Sequence, residues 1–362
     1  MRIAVIMGLV LLSTSAWAEE EKVVNVYNWS DYVAPDTLEK FTKATGIKVN
    51  YDVYDGNEIL SAKLQAGKSG YDVVFPSASP FLASQIKAGI YQKLDRAKLK
   101  NYAGLDPQVM KTMASVADPG NLYAVPYQIS ATGIGYNMDK VAKAAPGMAM
   151  DSWSVLFDPA QVAKLKGCGV SVLDTPTEVF PAALLHLGKT GSSLETADLK
   201  AAAAAVTAIR PSLKYFHSSK YINDIANGDT CMAHGYVGDL VQARNRANEA
   251  GKGVKIGIFI PKEGAVVNID AAAIPKDAPH PDNAHAFIDF LLKPDIMGDI
   301  TNTTGYANAV AASKSVVKKE ILADPVIYPP ADVLAKEFQV PPADLAKERE
   351  RTRIWTSVKT GK

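Results

Sequence analysis

Val23-Val24-Asn25-Val26-Tyr27-Asn28-Trp29-Ser30-Asp31-Tyr32 is the stretch that decides how the chain is read. Its opening apolar run, Val23 to Val26, reads as a buried strand. Ala34-Pro35-Asp36-Thr37 beyond it reads as a helix start, with a proline where an N–H would find no partner anyway. Trp29 to Tyr32 are therefore expected in the loop at the carboxyl end of a first β-strand, where open α/β sheets bind ligands. The loop carries a flat ring (Trp29), a hydroxyl (Ser30), a carboxylate (Asp31) and a second ring (Tyr32). A carboxylate beside aromatic faces suits a cation, which pairs with the charge and is drawn to the rings. Without such a ligand, Trp29 reads as core and Asp31 as a residue of the helix entry.

Working outward, strand and helix patterns alternate. Leu38, Phe41 and Ala44 share one helical face, and Gly46 ends that helix. Ile47 to Val53 alternates as a strand, Glu58 to Gln65 is a short helix, and Tyr71 to Phe75 is a strand. Pro76-Ser77-Ala78-Ser79-Pro80 follows it as a loop, so Ser77 can face the same crevice as the opening loop. Thr132 to Asn137 begins a second unit, in which Cys168 to Asp174, Thr230 to Gly235 and Lys255 to Ile260 read as strands. Thr177 is placed to cap a helix from Glu178, and Leu240 to Ala250 is helical. Val266 to Ile274 holds a further strand with Asp270 inside an apolar run. This alternation argues for mainly parallel α/β sheets. Neither a repeat nor a low-complexity linker divides the chain, so the two units read as lobes joined by extended strands. The joints are expected near Pro126-Tyr127, near Ile260-Pro261 and between Leu292 and Asp295.

Composition narrows the function. The 39 Lys and Arg nearly balance 38 Asp and Glu, which argues against a nucleic-acid surface. Arg2, the apolar run Ile3 to Leu12 and Ala16-Trp17-Ala18 form an export signal cleaved after Ala18, too short for a membrane span. No cysteine follows the cleavage box to take a lipid, so a free periplasmic protein is expected. Cys168 and Cys231 are the only cysteines, and in an exported chain such a pair favours a disulfide. Neither a metal site nor a cofactor is expected, since no CxxC, no histidine cluster and no GxGxxG loop is present. The five histidines are scattered and read as packing residues.

Four acids fall at strand ends or within apolar runs: Asp31, Glu178, Asp239 and Asp270. Glu178 and Asp239 also suit helix starts, where the dipole favours negative charge. Asp270 lies between Ile269 and Ala271 with no basic neighbour, and an unpaired carboxylate there is costly. A ligand cation would relieve it. Rings travel with these acids: Trp29 and Tyr32 with Asp31, Tyr236 with Asp239, and Tyr306 in a loop of its own.

These stretches resemble the periplasmic polyamine-binding proteins of bacterial ABC transporters, the putrescine and spermidine receptors. The resemblance runs through YNWSDYVAPDTLEKF, SGYDVVFPSAS, CGVSVLD, RP-x-x-KYFHSSKYINDIANGD, IPKEGA and TRIWTSVKTGK, and so covers the mature chain. It implies a two-lobed periplasmic binding protein fold of type II, each lobe a mainly parallel sheet flanked by helices and joined by hinge strands. The expected lobes are 19–126 with 261–293, and 127–260 with 294–362, after a signal at 1–18. By the same resemblance Trp29, Ser30, Asp31, Tyr32, Ser77, Glu178, Tyr236, Asp239, Asp270 and Tyr306 bind ligand, and Cys168 bonds Cys231. The implied ligand is a small cationic amine, handed by a monomeric receptor to an inner-membrane permease. One position departs from the family. Asn268 stands two residues before the buried acid, where an aromatic is usual. An amide there should favour a ligand with a polar group at that point, such as a secondary amine, guanidinium or carboxylate. A secreted hydrolase using paired carboxylates is the alternative from another class, though no GxSxG or metal motif accompanies the acids.

Overall fold

The computed structural model describes residues 20–361. The expected export signal, 1–18, lies outside the described residues. Among those described, no helix is long and apolar enough to cross a membrane.

Strand β1 (Val23–Trp29) runs parallel to β2 (Lys48–Tyr54) on one side and to β3 (Val73–Val74) on the other. Period-two alternation along β1 buries Val24, Val26 and Asn28, and the strand ends at Trp29. The helix Thr37–Thr45 that follows drives Phe41 into the core and stops at Gly46, whose φ of 73° suits glycine. Strand β4 (Ala124–Asn137) is one continuous element where the sequence reads an extended piece and a separate strand. Further along come β5 (Val170–Val172), β6 (Tyr215–Phe216), β7 (Met232–Tyr236), β8 (Ile256–Phe259) and β9 (Ala265–Ala273). The strand order is β2-β1-β3-β9-β4-β7-β5-β6, with β8 also paired to β4. Parallel pairing, as expected, joins β1 to β3 and β5 to β7. The long strands β4 and β9 are antiparallel to each other, β9 to β3, and β4 to β7 and β8, so each lobe is mixed where they enter it.

Two hydrophobic cores form. One gathers Val26, Phe41, Phe75, Tyr127 and Phe287; the other gathers Ile134, Trp153, Phe180, Val206 and Leu240. The β4–β9 pair bridges them, since Tyr127 and Ile269 belong to the first core while Ala131 and Ala265 belong to the second. The crossings thus lie at 128–130 and 266–268, in one two-stranded ribbon whose register shifts between Pro126 and Ile129. Ile260-Pro261 is not a crossing. Its turn is fastened to the second lobe, where the Gly264 carbonyl accepts from the Trp153 indole at 2.9 Å. Nor does the chain cross near Leu292. Ile296, Met297, Ile300 and Tyr306 pack into the first core, although 294–362 was expected in the second lobe. The chain passes over only between Val310 and Ile327. The helix Pro176–His186 takes Thr175 as its N-cap, and Thr177, expected there, is buried in its first turn. His234 is a core residue edge-on to Trp153, and burial pushes its imidazole pKa down to about 3. Cys168 and Cys231 form a disulfide just before the strands β5 and β7 begin to pair.

Candidate functional site

The first wall of the inter-lobe cavity is built at the carboxyl ends of β1, β2 and β3, where parallel strands leave a crevice. Trp29 is anchored there by its indole N–H, which donates to the Phe75 carbonyl at 2.8 Å. Tyr54, the last residue of β2, donates to the same carbonyl at 2.6 Å, and its ring lies 4.8 Å from that of Trp29. Asp270 enters on β9. Its carboxylate accepts from the Ser77 hydroxyl at 2.6 Å and the Tyr32 hydroxyl at 2.5 Å. Asn57 fixes Ser77 in turn, accepting from its backbone N–H at 3.0 Å and donating to its hydroxyl at 2.9 Å. Burial pushes the Asp270 carboxyl up to about 6, against the pull of the two hydroxyls.

Asp239 belongs to the facing wall, in the first turn of the helix Val237–Ala250. The Tyr221 and Tyr306 hydroxyls each donate to it at 2.7 Å. Burial again dominates and raises its carboxyl to about 6, while the two hydroxyls hold it down. The glycines of Gly235-Tyr236-Val237-Gly238-Asp239 admit those tyrosines. A Cβ on Gly235 would stand 2.3 Å from the Tyr221 ring, and one on Gly238 would stand 2.2 Å from the Tyr306 ring. Tyr306 packs in the first core and Asp239 belongs to the second lobe, so this contact exists only with the lobes closed.

Trp29, Ser30, Tyr32, Ser77, Tyr236, Asp239, Asn268, Asp270 and Tyr306 come together around this one cavity. Two of the expected residues do not line it. Asp31 has a φ of 56° and stands at the outer rim, its carboxylate accepting from Arg246 at 2.7 Å across the lobes. The Gln242 amide reaches the Asp31 carbonyl at 3.3 Å beside it. A residue in the left-handed region departs from the strand's direction, and the guanidinium takes up the charge outside. Glu178 is buried behind the wall, where its Oε1 accepts from the Asn268 amide at 3.1 Å. Burial, then the charges of Glu58 and Asp270, push its carboxyl up to about 8, while the Asn268 amide and Arg351 pull the other way.

The sequence reading missed Tyr54, Asp55, Ser130, Ser218, Ser219 and Ile222, which also line the cavity. Tyr54 ends β2, Asp55 follows it and Ser218-Ser219 lie just beyond β6, so the same strand-end rule finds them. Ser130 sits within a crossing strand and carries no local signal. Among the described residues lining the cavity, three are carboxylates and none is Lys, Arg or His. The walls between the acids are aromatic: Trp29 with Tyr236 at 6.1 Å between ring centroids, and Tyr32 with Tyr306 at 4.8 Å.

A family model described as bacterial extracellular solute-binding protein matches residues 36–329. The chain is 54% identical over 349 residues to the putrescine-binding periplasmic protein SpuD of Pseudomonas aeruginosa, covering 96% of this chain and 94% of that one. It is 48% identical over 357 residues to the putrescine-binding periplasmic protein PotF of Escherichia coli, covering 98% and 96%. Among solved structures, a putative spermidine/putrescine ABC transporter protein from Listeria monocytogenes superposes with a TM-score of 0.84. That pair is 28% identical, and the match covers 94% of this chain and all of the other.

Proposed function

The chain belongs to the bacterial extracellular solute-binding proteins, and from that premise we propose that it is a periplasmic receptor for a small cationic amine. One observation carries the reading. The closed cavity holds Asp239 and Asp270 on opposite lobes between aromatic walls, with no basic side chain lining it. Buried carboxylates without a counter-charge are costly, and a ligand bringing positive charge to both ends removes the cost. Its methylenes would lie against Trp29, Tyr32, Tyr236 and Tyr306, with cation–π attraction at the ammonium ends. Because the acids come from different lobes, such a ligand favours closure. A monomer delivering the amine to an ABC permease completes the proposal. The relatives' names support it, and an amine bound without turnover would favour a receptor over a hydrolase.

A thermal-shift screen against putrescine, cadaverine, agmatine, spermidine, spermine and amino acids tests this. An amine at large excess over its dissociation constant should raise stability by roughly 3–4 kcal/mol. No stabilisation by any amine, or product released from an amine derivative, would count against the receptor.

Acid pH should weaken binding. Burial in the closed cavity pushes the carboxyls of Asp239 and Asp270 up to about 6, and an ammonium pairs with their ionised forms. Affinity therefore rises as pH rises through about 6 and falls below it. At pH 5 such a group is ionised about one part in ten, so a diamine held by both should bind up to roughly a hundredfold more weakly than at pH 7.5. Titration calorimetry at the two pH values reads the difference, and a flat profile would contradict the assignment.

Gly238→Ala should block closure without touching ligand. Its Cβ would collide with Tyr306 only when the lobes meet. Overpacking of this kind costs about 1–3 kcal/mol, so amine affinity should drop by roughly five- to 150-fold. The melting temperature of the empty protein should stay put, and a variant that binds normally would show that this contact is dispensable.

A further inference from the structure

Near its end the chain returns to the hinge and closes a ring around it. The short strand Glu337–Phe338 runs parallel to β9, with Glu337 beside Ala265 and Phe338 beside Val266. Parallel pairing sends the chain on in the direction of the β9 crossing at 266–268. Two residues later the Val340 carbonyl accepts from the Ser79 hydroxyl at 2.6 Å. Ser79 is 4% exposed and Val340 3%, so neither group has water to fall back on. Ser79 belongs to the first lobe, between Ala78 and Leu82 of its core. Its loop is fastened to the far end of β9, where the Pro76 carbonyl accepts from the Ala271 N–H at 3.0 Å and Ser77 donates to Asp270. The path from β9 through this loop to Val340 and back to Ala265 thus encloses the crossing.

The other end of the strap sits on the second lobe. The Phe338 ring fills the place over Gly191, where a Cβ would collide with it and with Leu185 of that lobe. Beyond the strap, the helix Leu345–Thr360 buries Trp355 and Val358 in the second core. There is no slack between the two attachments, since two residues reach at most about 7 Å. A rotation at 266–268 that carries Ser79 away from Phe338 therefore breaks the bond to Val340. Ser79 does not line the cavity. Given the receptor reading above, we propose that residues 337–340 are a brace made on closure, and that Ser79 is a positioning residue of the amine site. It acts through the strap, by holding the lobes at the separation at which Asp239 and Asp270 both reach the ligand. Such a brace does not sense the chemistry of what is bound.

Stopped-flow kinetics and titration calorimetry with putrescine, cadaverine and spermidine test this. Ser79→Ala should weaken every amine that the unmodified protein binds by one common factor, roughly three- to tenfold, the worth of one net hydrogen bond. The loss should lie in faster dissociation, with association unchanged. Phe338→Ala unseats the strap from the other lobe and should act in the same way. Because both act through one strap, the double variant should lose no more than the larger single loss, to within about twofold. Should Phe338→Ala fail to fold, Gly191→Ala displaces the same ring and takes its place in the cycle. Affinity unmoved by Ser79→Ala, losses that multiply in the double variant, or a loss that differs from amine to amine overturns the brace alone. Failure of all three amines to bind the unmodified protein overturns the receptor reading, and the brace with it.

Discussion

Asp270→Asn is expected to weaken amine binding by at least tenfold, and by more where the ammonium is fully desolvated. The substitution keeps the shape of the side chain and removes the charge. The Ser77 and Tyr32 hydroxyls, which now both donate to the carboxylate, would meet an amide with one acceptor and one donor. A ligand ammonium closed in beside them would lose its counter-ion in a place water cannot reach. Truncating one partner of such a pair costs about 2–5 kcal/mol. Asp239→Asn removes the charge at the other end and should have an effect of the same order. Asp31→Asn is the contrast. Its carboxylate is 41% exposed and pairs with Arg246 outside the cavity, so its loss should cost only about 0.2–1 kcal/mol. Calorimetry on the three variants reads the order. Should Asp270→Asn keep full affinity for every amine that the unmodified protein binds, the site has been assigned to the wrong residues.

Opening the Cys168–Cys231 disulfide should destabilise the second lobe by about 4 kcal/mol. The bond closes a loop across a sequence separation of 63, which holds a large share of the second core, including Phe180 and Val206. Cross-linking a loop that long removes many conformations from the unfolded chain. The two cysteines precede strands that pair side by side, Val170 with Met232, so the bond also pins that register at its start. Reduction should lower the lobe's melting temperature by roughly 10 °C. Melting curves with and without a phosphine reductant, and of the Cys168→Ala, Cys231→Ala double variant, give the figure. An unmoved midpoint would show that β-pairing alone holds the lobe.

The parts of the site that the sequence discloses are those whose position follows from a strand end or an apolar run. Trp29, Tyr32 and Ser77 close parallel strands, and a carboxylate such as Asp270 cannot hide within Ile269 and Ala271 without a purpose. Backbone sign is harder to read. Nothing in Trp29-Ser30-Asp31-Tyr32 announces that Asp31 will take a positive φ and leave the cavity to its neighbours. Long-range pairing is harder still. Arg246 lies 215 residues from the carboxylate it meets, and Asn268 lies 90 from Glu178. The lobes were legible as two α/β units. Of the crossings, the one at 128–130 lies beside the expected Pro126-Tyr127, whereas the one at 266–268 falls within the continuous strand β9 and carries no local signal. The helix Pro294–Thr304 was assigned to the wrong lobe for a similar reason, since an amphipathic face does not say which core it will cover.

The Asp31–Arg246 bridge joins the two lobes outside the set of residues that line the cavity. What is captured and how long it stays are thus set by different residues. A ligand in the closed cavity leaves only after the lobes part, so the bridge adds to the barrier for the departure of any amine. Both side chains are partly in water, and dissolved salt screens exposed charges over about 8 Å at physiological ionic strength. Rising salt should therefore quicken dissociation of every bound amine by a common factor, and Arg246→Ala should erase that dependence while leaving the ranking of amines intact.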